Sequence, residues 1–131
     1  MAAFDWSGYL TLADGLAAQP DEGSLRSSVS RAYYYVYHIA LERATRNGFN
    51  AIEGGMHKQL WNLYQGVPVP DCQRLGQMGV RLKLRRERAD YHNTYPRLND
   101  EVAEVLQEAR DFAQRLARID ARHPNPAGMR Q

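Results

Sequence analysis

The sequence predicts an all-α fold, an up-and-down four-helix bundle with one additional short helix. Three observations predict it. Apolar residues recur at three- and four-residue intervals in five segments, the spacing of one face of a helix. No segment alternates apolar and polar residues as a half-buried strand does. Proline and glycine gather between the segments, at 20–23, 48–55 and 66–70, where they punctuate the chain.

The first segment predicts a helix over Asp5–Ala18, with Trp6, Tyr9, Leu10, Ala13, Leu16 and Ala17 on one face. Pro20 and Gly23 end it. Ser24 is the expected N-cap of a second helix that runs to about Asn47, with Leu25, Val29, Ala32, Val36, Ile39, Ala40 and Ala44 as its stripe. Asn47 and Gly48 form its stop. FNAIEGG, residues 49 to 55, reads as a loop. A short third helix follows over Met56–Tyr64, turning Met56, Leu60, Leu63 and Tyr64 inward. The prolines of GVPVPD disfavour helix, so a fourth helix is expected over Asp71–Tyr91. Its inner face is Leu75, Met78, Leu82 and Ala89. Gly76 and Gly79 lower helix propensity there and allow close helix contact. Pro96 marks a break. The fifth helix, about Asn99–Ala121, has the cleanest stripe: Val102, Val105, Leu106, Ala109, Phe112, Ala113, Leu116 and Ile119. Asn99 or Asp100 is its expected cap. The helical domain therefore covers residues 1–121, and 122–131, ending HPNPAGMRQ, are expected to be a disordered tail.

Composition narrows the function classes. At 131 residues, 44% hydrophobic and 24% charged, the chain can bury a core without staples. Its one cysteine, Cys72, allows no internal disulfide and fits a reducing cytoplasm. Neither a signal peptide nor a membrane-spanning run is apparent. Zinc patterns, a Walker loop and a G-x-S-x-G elbow are missing from the sequence.

The net charge of +2 is uninformative, but its distribution is not. Residues 81–97 hold six bases (Arg81, Lys83, Arg85, Arg86, Arg88, Arg97) against Glu87 and Asp90, with His92 among them. Residues 98–120 are net acidic. A basic band can steer an anion, and guanidinium forks bind phosphate bidentately. A histidine there can move protons near neutral pH. On an ideal helix Arg85 and His92 lie nearly in line, Arg88 and His92 share a side, and Arg86 meets Asp90 one turn on. On charge alone the same run reads as the solvated face of an amphipathic helix. A second constellation is SRAYYYVYH, Ser30 to His38. Tyr33 and Tyr37 fall beside the core stripe and read as structural. Tyr34 and Tyr35 are freer, and half-exposed tyrosines can stack on bases. His38 reads as a helix-surface or satisfied core histidine. His57 and Trp61 read as packing of the short helix.

Ser30-Arg31-Ala32-Tyr33-Tyr34 in a long second helix, followed by Arg86-Glu87-Arg88-Ala89-Asp90-Tyr91-His92 late in another, resembles the HEPN superfamily. Many members carry R-A-Y-Y early and R-x-x-A-D-Y late. Ribonuclease members have an arginine, four to six residues, then a histidine. Both Arg86 and Arg85 satisfy that spacing to His92, and the resemblance spans about residues 4–120. It implies a HEPN-like bundle, a homodimer whose motifs line one cleft, and a metal-independent endoribonuclease that needs no cofactor. Its substrate is RNA, whose 2′-OH attacks the adjacent phosphorus. Arg86 and His92 are then the catalytic pair, Arg86 stabilising the oxyanion and His92 orienting the phosphate or assisting proton transfer. Arg85, Arg88 and Arg81 would hold RNA phosphates, with Glu87, Asp90 and Tyr91 in support. Such proteins often act as toxins of toxin–antitoxin or antiphage systems, paired with a nucleotidyltransferase antitoxin that modifies a tyrosine two residues after the histidine. Tyr95, three after His92, is the candidate here. The alternative is a non-catalytic HEPN module whose same face docks a nucleotidyltransferase or RNA.

Overall fold

A computed structural model describes residues 3–129, and every described regular element is helical. Five α-helices follow one another: α1 Ser7–Ala17, α2 Glu22–Arg46, α3 Met56–Gly66, α4 Pro70–Tyr91 and α5 Leu98–Arg118. A 3-10 turn closes the described chain at Pro126–Gly128. α2 packs against all four other helices, while α3 lies mainly on α4, and α4 and α1 each also meet α5. α2 is therefore the centre of the molecule.

The helix ends show which local forces won. α2 starts two residues before the expected cap because Asp21 takes that role: its carboxylate accepts from the Ser24 amide at 3.0 Å. An anionic acceptor at the positive end of a helix is favoured over a neutral hydroxyl. Pro70 occupies the first turn of α4, where its missing N–H costs nothing. Before α3, Gly54 and Gly55 adopt positive φ (83° and 69°), conformations that glycine takes freely. Gln59 fastens that loop, accepting from the Ile52 amide and donating to the Ile52 and Gly54 carbonyls at 2.7–2.8 Å. α5 begins after Arg97, which sits in the left-handed region at φ 58°. It has no side-chain cap, so neither Asn99 nor Asp100 plays the role expected of it.

The core forms where the stripes predict, except at Met56, expected to turn inward but 40% exposed at the first position of α3, where the helix has only just left the loop. Val29, Ala32, Val36 and Ala40 of α2, Leu75, Met78 and Leu82 of α4, and Val105, Ala109 and Phe112 of α5 are all essentially buried. Trp61 of α3 fills the gap between α4 and α5, meeting Phe112 edge to face at 5.9 Å. Gly79 makes room for it. A Cβ on Gly79 would lie 2.5 Å from the indole ring, and one on Gly76 would lie 2.6 Å from Gln65. The glycines that weaken α4 locally thus let α3 dock on it.

Two arginines of α2 tie the C-terminal ends of its neighbours, where carbonyls lack helical partners. Arg26 donates to the carbonyls of Ala89, His92 and Asn93. Arg43 donates to Leu116 at 2.9 Å and to His123 at 3.1 Å. Residues 122–129, expected as a disordered tail, thus carry fixed contacts in the structure, with Pro124 buried. No helix among the described residues is long and apolar enough to cross a membrane.

Candidate functional site

α2 and α4 lie side by side, and the two motifs of the sequence face each other across that seam. Tyr33 and Tyr37 are buried in it. The Tyr33 hydroxyl accepts from the Trp61 indole N–H at 3.1 Å and lies 2.7 Å from Nδ1 of His57. With the indole proton directed to it, the hydroxyl has its own proton to place, and Nδ1 is the acceptor in reach. His57 stacks on Tyr37 at 4.0 Å and is held neutral. Burial first, then the Arg86 and Lys83 charges, lower its pKa from 6.5 to about 4. Burial raises the Tyr33 pKa in turn. This polar set sits beneath the site and is satisfied internally.

Arg86 lies above it and is only 8% exposed. Its guanidinium carbon stands 5.6 Å from the Tyr33 ring centre, 5.4 Å from Tyr34 and 5.9 Å from Tyr91. Its one ionic partner among the described residues is Asp90, at 3.7 Å. That carboxylate also accepts from the Ser30 hydroxyl at 3.2 Å. Arg86 donates no hydrogen bond to any described residue, and its Nε is fully buried without a partner. Five donors and a charge held in this way are unusual in a folded protein. Aromatic faces offset part of the cost.

Arg86 and Asp90 line a groove of about 260 Å³ together with Tyr9, Arg31, Tyr34, His38 and Tyr91. Arg31 reaches it from α2, stacked 4.8 Å from the Tyr9 ring centre and 5.2 Å from that of Tyr34. His38, half-buried, lies flat on Trp6 at 3.4 Å. Burial and the Arg31 charge lower its pKa, which keeps it neutral near pH 7. The groove therefore presents two cations, one carboxylate and three tyrosine rings.

Of the other predicted residues, all but Tyr91 point elsewhere. Arg85 lies against α5, 2.8 Å from Glu108, 3.6 Å from Glu101 and 3.8 Å from Glu104. Arg81 meets Glu108 at 3.2 Å. Arg88 meets Glu101 at 3.7 Å and stands over the Tyr95 ring. Glu87 pairs with Lys83 one turn back, at 3.2 Å. Tyr91 is 74% exposed at the rim of the groove. Tyr95 is buried, its hydroxyl donating to Glu101 at 3.0 Å. Burial, then that contact, push its pKa up to about 12. His92 caps α4 through its backbone amide, which donates to Arg88, and its side chain is exposed. His92 is not part of the groove wall.

The structure thus brings Arg86, Asp90 and Tyr91 together, and adds Arg31, Tyr34, Ser30 and His38 from α2. Arg31 stands in the R-A-Y-Y run, but nothing in its spacing marks it as a binding residue. Arg26, whose side chain fixes the His92 carbonyl, has no sequence signal at all. Among the described residues no cluster of three or more His, Cys, Asp or Glu side chains could hold a metal. Cys72 is buried, which pushes its thiol up to about 11, too high for a thiolate nucleophile. No family model, curated protein or solved structure matches this chain.

Proposed function

We propose that the chain is a HEPN-like endoribonuclease, metal-independent and active as a homodimer, serving as the toxin of a toxin–antitoxin or antiphage system. The observation that carries this reading is Arg86. It is a nearly buried guanidinium that donates no hydrogen bond to any described residue, stands at the wall of an open groove, and lies six residues before an exposed histidine at the end of the same helix. Charge held in a low-dielectric setting with unused donors suits an oxyanion that develops during reaction. In this reading Arg86 stabilises the phosphoryl oxygens, and His92 assists proton transfer from a neighbouring position, completed by the second copy. Arg85, Arg88 and Arg81 would hold flanking phosphates only by exchanging α5 carboxylates for them. Asp90 keeps Arg86 oriented.

The test is incubation of total RNA with purified protein in EDTA. Wild-type protein is expected to cut, and Arg86→Met and His92→Ala to lose cutting while keeping their helical circular dichroism. Undiminished cutting by His92→Ala would remove the imidazole from the mechanism.

One observation favours a second reading, a non-catalytic module that docks RNA or a nucleotidyltransferase. His92 lies outside the groove that holds Arg86, and three of the basic side chains beside it are paired with α5. In that case RNA is retained uncut at low salt.

A further inference from the structure

We propose that Arg31 and Arg86 together grip one phosphate of a single-stranded nucleotide chain, with the rings of Tyr34 and Tyr91 beside it to take the adjacent base. This site lies within one protomer and does not use His92. It rests on the reading that the chain handles RNA, and it assigns the binding role to a residue of α2 rather than to the basic face of α4.

Three features of the groove carry it. The first is convergence: Arg31 from α2 and Arg86 from α4 line the same groove. The second is unused capacity. Arg31 makes no ion pair or hydrogen bond among the described residues, its guanidinium lying instead over the Tyr9 and Tyr34 rings. Arg86 has a single carboxylate at 3.7 Å and a buried Nε without an acceptor. Arg81, Arg85 and Arg88, by contrast, already hold α5 carboxylates. The third is the company the two cations keep. Tyr9, Tyr34 and Tyr91 surround them, and ring faces beside an arginine pair are the combination that single-stranded nucleic acid meets through its bases and its backbone. A plain carboxylate would use the arginines and leave the rings idle. The Asp90 carboxylate, anchored by Ser30, holds Arg86 in place and keeps the groove from trapping anions indiscriminately.

A fluorescein-labelled 2′-O-methyl octaribonucleotide, which a 2′-OH-dependent nuclease cannot cut, separates binding from cleavage. Its anisotropy is titrated with full-length protein at low salt. Arg31→Gln is expected to weaken binding about tenfold and to lower the salt slope by about one phosphate contact. Arg74→Gln, at an exposed position of α4 away from the groove, is expected to stay within about twofold of wild type. Tyr91→Ala, at an exposed position that does not threaten folding, should weaken binding roughly tenfold, and Tyr91→Phe should restore it. Competition with adenosine monophosphate and with inorganic phosphate shows whether a free nucleotide or a strand is preferred. Either nucleotide form displacing the probe through Arg31 supports the site, whereas inorganic phosphate competing as well as the nucleotide does not. Wild-type affinity in Arg31→Gln, an equal loss in Arg74→Gln, or no binding by the wild type overturns the inference. Arg31-dependent binding with no cleavage of natural RNA would sink the nuclease reading and leave this site standing. Cleavage and binding that both ignore Arg31 would do the reverse.

Discussion

Arg86 is a cation in a place where a hydrocarbon would pack as well. A buried charge with an incomplete set of partners costs free energy that only function recovers. Arg86→Met is therefore expected to leave the melting temperature unchanged or raise it by a few degrees while abolishing RNA binding, by thermal denaturation and anisotropy on the same preparations. A large loss of stability would mean that Asp90 and the tyrosine rings compensate the charge fully, and would remove the main argument for a site there. His57 gives a second residue-level expectation. Its folded pKa, about 4, lies below the ordinary 6.5, so the unfolded chain binds more protons. Its neutral state stabilises the fold above pH 6.5, and that contribution drains away as pH falls toward 4. The urea midpoint of the wild type should drop between pH 7.5 and 5.5, and less so in His57→Gln. A residual drop is expected in the variant, because the His38 pKa is lowered as well. Equal slopes in the two proteins would show that His57 is free to protonate in the folded state.

At the scale of elements, the helices were legible because each needs one apolar face, and that face is written at a period the eye can follow. Their ends were less legible. Asp21 displaced Ser24 as the α2 cap, a competition between two good candidates three residues apart. The partnership of α3 and α4 depends on Gly76 and Gly79, which sequence reasoning flagged for close approach. Gly79→Ala is expected to destabilise the protein by about 1–3 kcal/mol through overpacking, despite alanine's better helix propensity. Gly15→Ala in α1, where a Cβ meets nothing within 4 Å, should stabilise it by about 0.5–1 kcal/mol. Chemical denaturation of the pair checks both signs. The destination of the α4 arginines could also have been read: the acidic band of α5 is their complement, and Arg85 and Arg81 meet it at Glu108. Arg31 could not, because its pairing with Arg86 joins residues 55 apart through a helix seam that no periodicity specifies.

At the scale of the whole molecule, α2 touches every other helix and carries more buried residues than any of them. α1 has one fully buried residue, Ala13. Native-state hydrogen exchange should therefore find the amides of Val29–Ala44 released only by global unfolding, and those of α1 released at lower cost. Equal protection in the two helices would contradict this hierarchy. The acidic face of α5 and the basic face of α4 hold together through ion pairs that range from half-buried at Arg85 to exposed at Arg81. Raising salt should accordingly weaken the fold only slightly, since the exposed pairs contribute about 0–1 kcal/mol each and the half-buried ones are screened less.

The clamps that Arg26 and Arg43 place on the ends of α4 and α5 have a consequence for synthesis. The central helix leaves the ribosome second, but the carbonyls that its two arginines must hold emerge last, near residues 89–93 and 116–123. Until then its oily flanks stay wet and sticky. A nascent chain stalled before α5 should bind chaperones and be cut readily by protease, then become resistant in one step once α5 is released from the ribosome.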